Sequence, residues 1–310
     1  MERLIGTYTE GVEGPLLFVI GGMHGNEPAG IHALENLFSL LNTEHSRNPG
    51  FEFKGKLVGL RGNLQAIRSE KRFLERDLNR SWLSESIRTL KLKDTESLYA
   101  EDRELVELLN FIELEIALSK PSEVYLLDIH TTTASGGIFS IPNGSKKSLD
   151  LAKALHAPVI DGMIDGIKGT SLHYFSEQYW DVPMTSVVFE AGQHQDELSE
   201  NRAIAAIVNC LRELGCVKAT DVENHHDQIL IQYAKGLPRV SRLCYTHAIS
   251  PEDNFVMKPG FENFQPIEKE TILASDIKGE IRAQTSGLIL MPLYQKQGED
   301  GFFVIEIVEP

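Results

Sequence analysis

Short apolar runs alternate with longer periodic ones over the first two thirds of this chain, and that alternation restricts its fold more than any other feature. Runs rich in Val, Leu and Ile at residues 16–20, 56–60, 124–129 and 186–189 suit strands. Between and after them, residues 28–41, 96–118, 149–155 and 197–214 carry apolar side chains near every 3.6 positions, as amphipathic helices do. Parallel strands need a crossover connection, usually a helix, so this order predicts an α/β fold with a mainly parallel (mixed) sheet and flanking helices. After about residue 222 the character changes: β-like runs at 229–233, 288–291 and 302–307 lie between turns rich in Gly, Pro and Asp, with no clear helical period. That tail reads as a small all-β unit. At 310 residues the chain also exceeds the size at which one core usually keeps growing, so two domains are expected, 1–222 and 223–310.

Charge narrows the range of partners. A formal net charge of −15 repels phosphate backbones and anionic membranes, so neither nucleic acid nor membrane is an expected partner. No apolar run approaches the roughly 20 residues of a membrane span, and the opening MERLIGTYTE has no apolar signal core, so the cytoplasm is the expected location. Cys210, Cys216 and Cys244 form no CxxC pair and read as buried, inert thiols. Residues 61–80 depart from the acidic background. Arg61, Arg68, Lys71, Arg72, Arg76 and Arg80 face only Glu70, Glu75 and Asp77, a local net charge of +3. Two readings fit: a pocket for a small anion, or a solvated helix face with Arg72, Arg76 and Arg80 at i, i+4 spacing.

Three segments carry candidate chemistry. The run LLFVI enters GGMHGNEPAG and then a helix, which puts His24 and Glu27 at the carboxyl end of a strand, where open α/β sheets place their sites. Gly21, Gly22 and Gly25 let the backbone turn there, and a His and a Glu three residues apart can converge on one ion. The alternative is that Asn26 and Glu27 cap the helix. A second strand, VYLLDIH, delivers Asp128 and His130; His130 suits a third ligand with Asp128 behind it, or a structural histidine. A third, SVVFEAG, ends in Glu190, a carboxylate that needs an ion pair or a catalytic task if buried. Two His and one Glu on zinc leave a fourth position for water, and Glu190 suits the base such water requires.

Taken together and in order, GGMHGNEPAG, RGNLQAI, ERDLNRSW, LLDIHTTT and VVFEAGQH resemble the succinylglutamate desuccinylase and aspartoacylase family of zinc carboxypeptidase-like hydrolases, and MPLYQKQGEDGFF is similar to the family's β-rich second domain. The resemblance implies one Zn2+ per chain on His24, Glu27 and His130, with Glu190 as general base and then acid. It implies that Arg72 polarises the scissile carbonyl and that Asn79 and Arg80 bind the amino-acid carboxylate. The implied activity is hydrolysis of the amide bond of a small N-acyl amino acid, and the resemblance admits a homodimer. The chemistry agrees: negative charge developing on an amide oxygen can be shared by a metal and a fixed guanidinium, and Arg80's planar fork matches a carboxylate. A metallocarboxypeptidase acting on peptides would use the same ligand types, and a non-catalytic anion-binding module could keep the pocket; Glu190 argues against the latter.

Two departures bear on substrate. No arginine occurs between Ile138 and Asn201, where aspartoacylase-type members carry one for a second carboxylate; Lys146, Lys147, Lys153 and Lys168 are the cations available there. Phe302 aligns with a substrate-contacting tyrosine. N-acetylaspartate is therefore not the expected substrate, and N-succinylglutamate is not assigned. His194, His173 and Tyr174 are further candidates for the pocket wall.

Overall fold

A computed structural model describes residues 1–94, 97–221 and 225–309. Its strands are β1 (Leu4–Tyr8), β2 (Val12–Gly21), β3 (Lys54–Arg61), β4 (Val124–Thr132), β5 (Phe139–Pro142), β6 (Val159–Asp161), β7 (Met184–Gln193), β8 (Val240–Ala248), β9 (Val256–Met257), β10 (Pro266–Ile267), β11 (Ile272–Asp276), β12 (Gly279–Arg282), β13 (Gly287–Leu290) and β14 (Asp300–Glu309). The helices are α1 (Ala29–Arg47), α2 (Leu64–Arg68), α3 (Ser84–Leu90), α4 (Ala100–Ser119), α5 (Lys146–Ala154), α6 (Met163–Gly166), α7 (Ser171–Tyr174), α8 (Ser199–Glu213) and α9 (His225–Tyr233). One 11-stranded mixed sheet runs in the order β1-β3-β2-β4-β7-β5-β6-β8-β14-β13-β10, and β12-β11-β9 form a small antiparallel sheet.

The centre of the large sheet is parallel: β2 pairs with β3 and β4, and β4 with β7. Both faces of β2 are covered, which is why its sequence is continuously apolar rather than alternating. Leu16, Phe18 and Ile20 pack with Trp82 and with Leu105, Leu108 and Leu109 of α4. Leu17 and Val19 pack with Leu34 and Phe38 of α1 and Ile207 of α8 on the opposite face. Removing a ring as fully buried as that of Phe18 costs about 3–5 kcal/mol. The parallel arrangement brings the carboxyl ends of β2, β4 and β7 to one edge, which is where the site lies.

The four strands and four helices expected in the first two thirds form, with ends shifted by a few residues; the helix expected from 96 starts at Ala100, and residues 95–96 lie outside the described ones. The tail differs. Residues 229–233, expected as a β-run, belong to helix α9. Leu230 is fully buried against the α1/α8 layer and Tyr233 packs beside it, a spacing of three that only a helix presents to one neighbour. A five-residue apolar run cannot be assigned to strand or helix by periodicity. The strands expected at 288–291 and 302–307 form as β13 and β14. The proposed division at 222/223 falls among residues outside the description, and β8, β14, β13 and β10 continue the large sheet through β6. Among the described residues no helix is long and apolar enough to cross a membrane. Cys210 and Cys216 are buried as expected, whereas Cys244 is exposed on β8, where alternation turns it outward.

Candidate active site

The first segment of the site follows β2. Gly22 takes a left-handed backbone (φ +72°), and Gly25 is required by close approach, since a Cβ there would lie 2.0 Å from the carbonyl carbon of Ala66. The chain thus folds tightly over α2 and turns His24 and Glu27 inward, 3 % and 2 % exposed. Helix α1 begins after Pro28 with no side-chain cap, so Glu27 is not a capping residue, and Asn26 donates from Nδ2 to Gln295 Oε1 at 3.0 Å.

The second segment is the carboxyl end of β4. Asp128 and His130 lie on the face opposite Ile129, whose side chain joins the α1 layer. His130 is brought against Glu27: its Nδ1 is 3.0 Å from Glu27 Oε2, while His24 Nδ1 is 2.8 Å from Glu27 Oε1. Ligand atoms of His24, Glu27 and His130 all lie within 4.8 Å of one another. The Thr131 amide also donates to Glu27 Oε2, at 3.0 Å.

Carboxylates stand behind both imidazoles. Asp77 Oδ1 is 3.0 Å from His24 Nε2, and Asp128 Oδ2 is 3.2 Å from His130 Nε2. Asp77 further accepts from Arg72 Nε (3.1 Å) and Nη2 (2.8 Å) and from the Asn79 amide (2.8 Å). Burial opposes the charge of Asp77, yet Arg72 and His24 hold its carboxyl well below the usual range; His24 and His130 do the same for the buried Glu27. His130 is raised against its own desolvation by Asp128 and Glu27.

These residues fit a divalent cation. The two imidazoles and the carboxylate converge, and each imidazole has its other nitrogen close to a carboxylate, the usual arrangement behind metal-bound histidine. Three buried carboxylates, Glu27, Asp77 and Asp128, are offset by the single guanidinium of Arg72, and a double positive charge would balance the cluster.

Glu190, on β7, is paired in register with His130. It is 4 % exposed, and its Oε2 has no hydrogen-bond partner. Desolvation, with Glu27 and Asp128 nearby, pushes its carboxyl up to about 8 against the pull of His130 and Arg72. Such a group can exchange a proton near neutral pH.

Residues 69–83 form turns and a short 3-10 helix (Leu78–Arg80) rather than the alternative solvated arginine face. Arg72 turns to Asp77, with Nη1 3.7 Å from Glu27. Arg76 pairs with Asp102 (3.3 Å) and covers the Tyr99 ring, outside the cluster. Asn79 accepts from the Ser171 amide at 2.9 Å. Arg80 donates from Nη2 to Asp300 Oδ2 at 2.6 Å. One pocket is lined by His24, Glu27, Arg72, Asn79, Arg80, His130 and Glu190 together.

His194 reaches the rim, its Nδ1 2.7 Å from Thr131 Oγ1. Neither His173, bound to Thr170 Oγ1, nor Tyr174, packed on Trp82, Phe175, Tyr179 and Trp180, lines this pocket. Phe302 is fully buried and stacked on His247 in the small C-terminal core; its neighbour Phe303 faces the rim instead. Sequence reasoning passed over Asp77, whose signal was an acid set between Arg76 and the apolar Leu78, and Asp300, which no local pattern connects to Arg80.

Comparison with known proteins bears on the family and the fold. The pattern described as "Succinylglutamate desuccinylase/Aspartoacylase catalytic domain" matches residues 13–214. A probable aspartoacylase of Nostoc sp. is 31% identical over 120 residues, 39% of this chain and 36% of the relative. A second, from Acaryochloris marina, is 27% identical over 122 residues with the same coverage, so the match spans little more than a third of either curated relative. The product-bound ectoine utilization protein EutE (DoeB) of Ruegeria pomeroyi shares the fold with TM-score 0.65 at 17% identity, covering 97% of this chain and 87% of that one. A succinylglutamate desuccinylase of Vibrio cholerae superposes with TM-score 0.63 at 17% identity, covering 94% and 81%. With the matched pattern spanning well over half of its length, the chain belongs to the succinylglutamate desuccinylase/aspartoacylase family.

Proposed function

We propose that the chain is a zinc-dependent amidohydrolase that cleaves the amide bond of a small N-acyl amino acid, with one ion per chain on His24, Glu27 and His130. The observation that carries this reading is the convergence of those donors in one buried pocket with an unpartnered carboxylate, Glu190, on the adjacent strand position. When bound, zinc supplies Lewis acidity toward the scissile carbonyl and toward water.

The chain's own residues do the rest. Glu190 takes the proton of the attacking water at its Oε2 and returns it to the leaving amine nitrogen, a role open to a buried carboxyl oxygen that has no other hydrogen-bond partner. Arg72, fixed by two donors to Asp77, shares the negative charge that develops on the amide oxygen without having to reorganise. Asn79 and Arg80 hold the amino-acid carboxylate, with Arg80 exchanging its contact with Asp300 for the substrate. Asp77 and Asp128 orient the two imidazoles. The same reading sets the enzyme in the cytoplasm with a small-molecule substrate and no nucleic-acid or membrane partner. It also keeps a catalytic unit at 1–222 and admits a homodimer.

The test is amine release from acetyl, succinyl and longer N-acyl amino acids, measured before and after chelation and again after zinc is restored. Activity lost and then regained supports the proposal. Hydrolysis indifferent to chelation overturns the metal's part, and release of terminal residues from peptides, with N-acyl amino acids untouched, replaces the deacylase with a carboxypeptidase.

A further inference from the structure

The pocket wall leading away from the metal-facing residues is aliphatic. On β7, Val188 lies two positions before Glu190 and so on the same face, and Ile141 of β5 is its registered partner. Met163, Ile167, Leu172 and Met291 close the wall, and these side chains belong to one apolar cluster that continues into the core. The only cations lining this pocket among the described residues are Arg72 and Arg80, already faced by Asp77 and Asp300. Of the lysines between Ile138 and Asn201, Lys146 pairs with Asp150, Lys147 with Glu123 and Lys153 with Glu309; Lys168 is exposed, and none lines the pocket. The adjoining rim adds Glu299 and Asp300, which repel a further anion.

We propose that the site selects N-acyl amino acids with a single carboxylate and an uncharged aliphatic arm, and rejects dicarboxylates. This rests on the deacylase reading above. A carboxylate pushed against the aliphatic wall loses its water without gaining a partner, a penalty that corresponds to at least about a hundredfold in kcat/KM. Each methylene laid on the wall raises kcat/KM about fourfold until the pocket is filled. The arm could be the acyl chain or the amino-acid side chain, and matched pairs separate the two.

The experiment uses the zinc-loaded enzyme with two pairs in which an isopropyl group replaces a carboxylate: N-acetylleucine against N-acetylaspartate, and N-(4-methylpentanoyl)glycine against N-succinylglycine. The aliphatic member wins by about a hundredfold in at least one pair, and the winning pair identifies the arm. Equal or better hydrolysis of the dicarboxylate in both pairs overturns the inference and leaves the deacylase reading intact. Turnover of none of the four, nor of any wider N-acyl panel, removes both. Ile164, half-buried on the same wall, gives an independent check. Ile164→Arg shifts the preference at least about tenfold toward dicarboxylates by supplying the missing partner. Ile164→Ser, the gentler change, lowers the aliphatic rate several-fold and leaves the dicarboxylate rate unmoved. An unchanged preference in both variants also overturns the inference.

Discussion

Asp77→Asn tests the reasoning about the metal cluster most directly, because one buried carboxylate there serves three partners. Asp77 is 1 % exposed and meets His24 Nε2, two donors of Arg72 and the Asn79 amide. The amide can still accept from one of them, but it cannot offset the guanidinium. Breaking a buried ion pair from one side costs about 3–5 kcal/mol. With an unfolding entropy of about 2.1 cal/mol/K per residue over 310 residues, that lowers Tm by about 5–8 °C. Losing the carboxylate behind a ligating histidine separately weakens metal binding by about 10–100-fold. Competition against a chromogenic chelator measures the second effect, and melting in excess chelator measures the first without a metal contribution. Wild-type zinc affinity in the variant would refute the claim that Asp77 orients a ligand, and an unchanged Tm would refute the buried-pair argument.

Three other outcomes are expected. Glu190→Gln lowers kcat by about 10²–10⁴-fold while chelator competition still finds zinc bound at wild-type affinity; retained turnover moves the base role to another group. Asp300→Asn frees Arg80 of its charged partner and lowers KM for carboxylate-bearing substrates several-fold at unchanged kcat, whereas Arg80→Ala raises KM; inhibition by simple carboxylates reports the same change. Maleimide labels one thiol per native chain, Cys244, and three in denaturant, since burial pushes Cys216 up to about 12 and Cys210 further; rapid labelling of Cys210 in the native state would contradict the core packing.

Much of the central fold could be read from periodicity because strands β2, β4 and β7 are buried on both faces and hence uniformly apolar. The polar residues that interrupt or end those runs, His24, His130 and Glu190, stand out because a buried charge there requires a partner. Their convergence follows from strand order, which the repeated helical crossovers constrain. Asp300 was illegible for the opposite reason: its contact with Arg80 spans 220 positions and depends on where the last strand docks. Helix α9 was missed because Ile229, Leu230 and Ile231 are too few to show a period, and only packing against α8 decides the outcome. Phe302 and Phe303 sit on opposite faces of β14, one ring in the small core and the other at the rim, a difference that local sequence alone does not reveal.

The hydrogen-bonded continuity of β6 with β8 has a practical consequence for anyone who would trim this chain to its matched segment. Ending it at residue 214 would strip the neighbour from the three-residue strand β6 and leave its backbone donors and acceptors as an open edge for foreign strands. The same cut would remove Met291 and Asp300, so the shortened protein would keep every cation-facing donor yet lose one wall of its chamber and the acid that occupies its second arginine. One pocket thus draws its lining from both sides of residue 214, and a single sheet binds the two parts together.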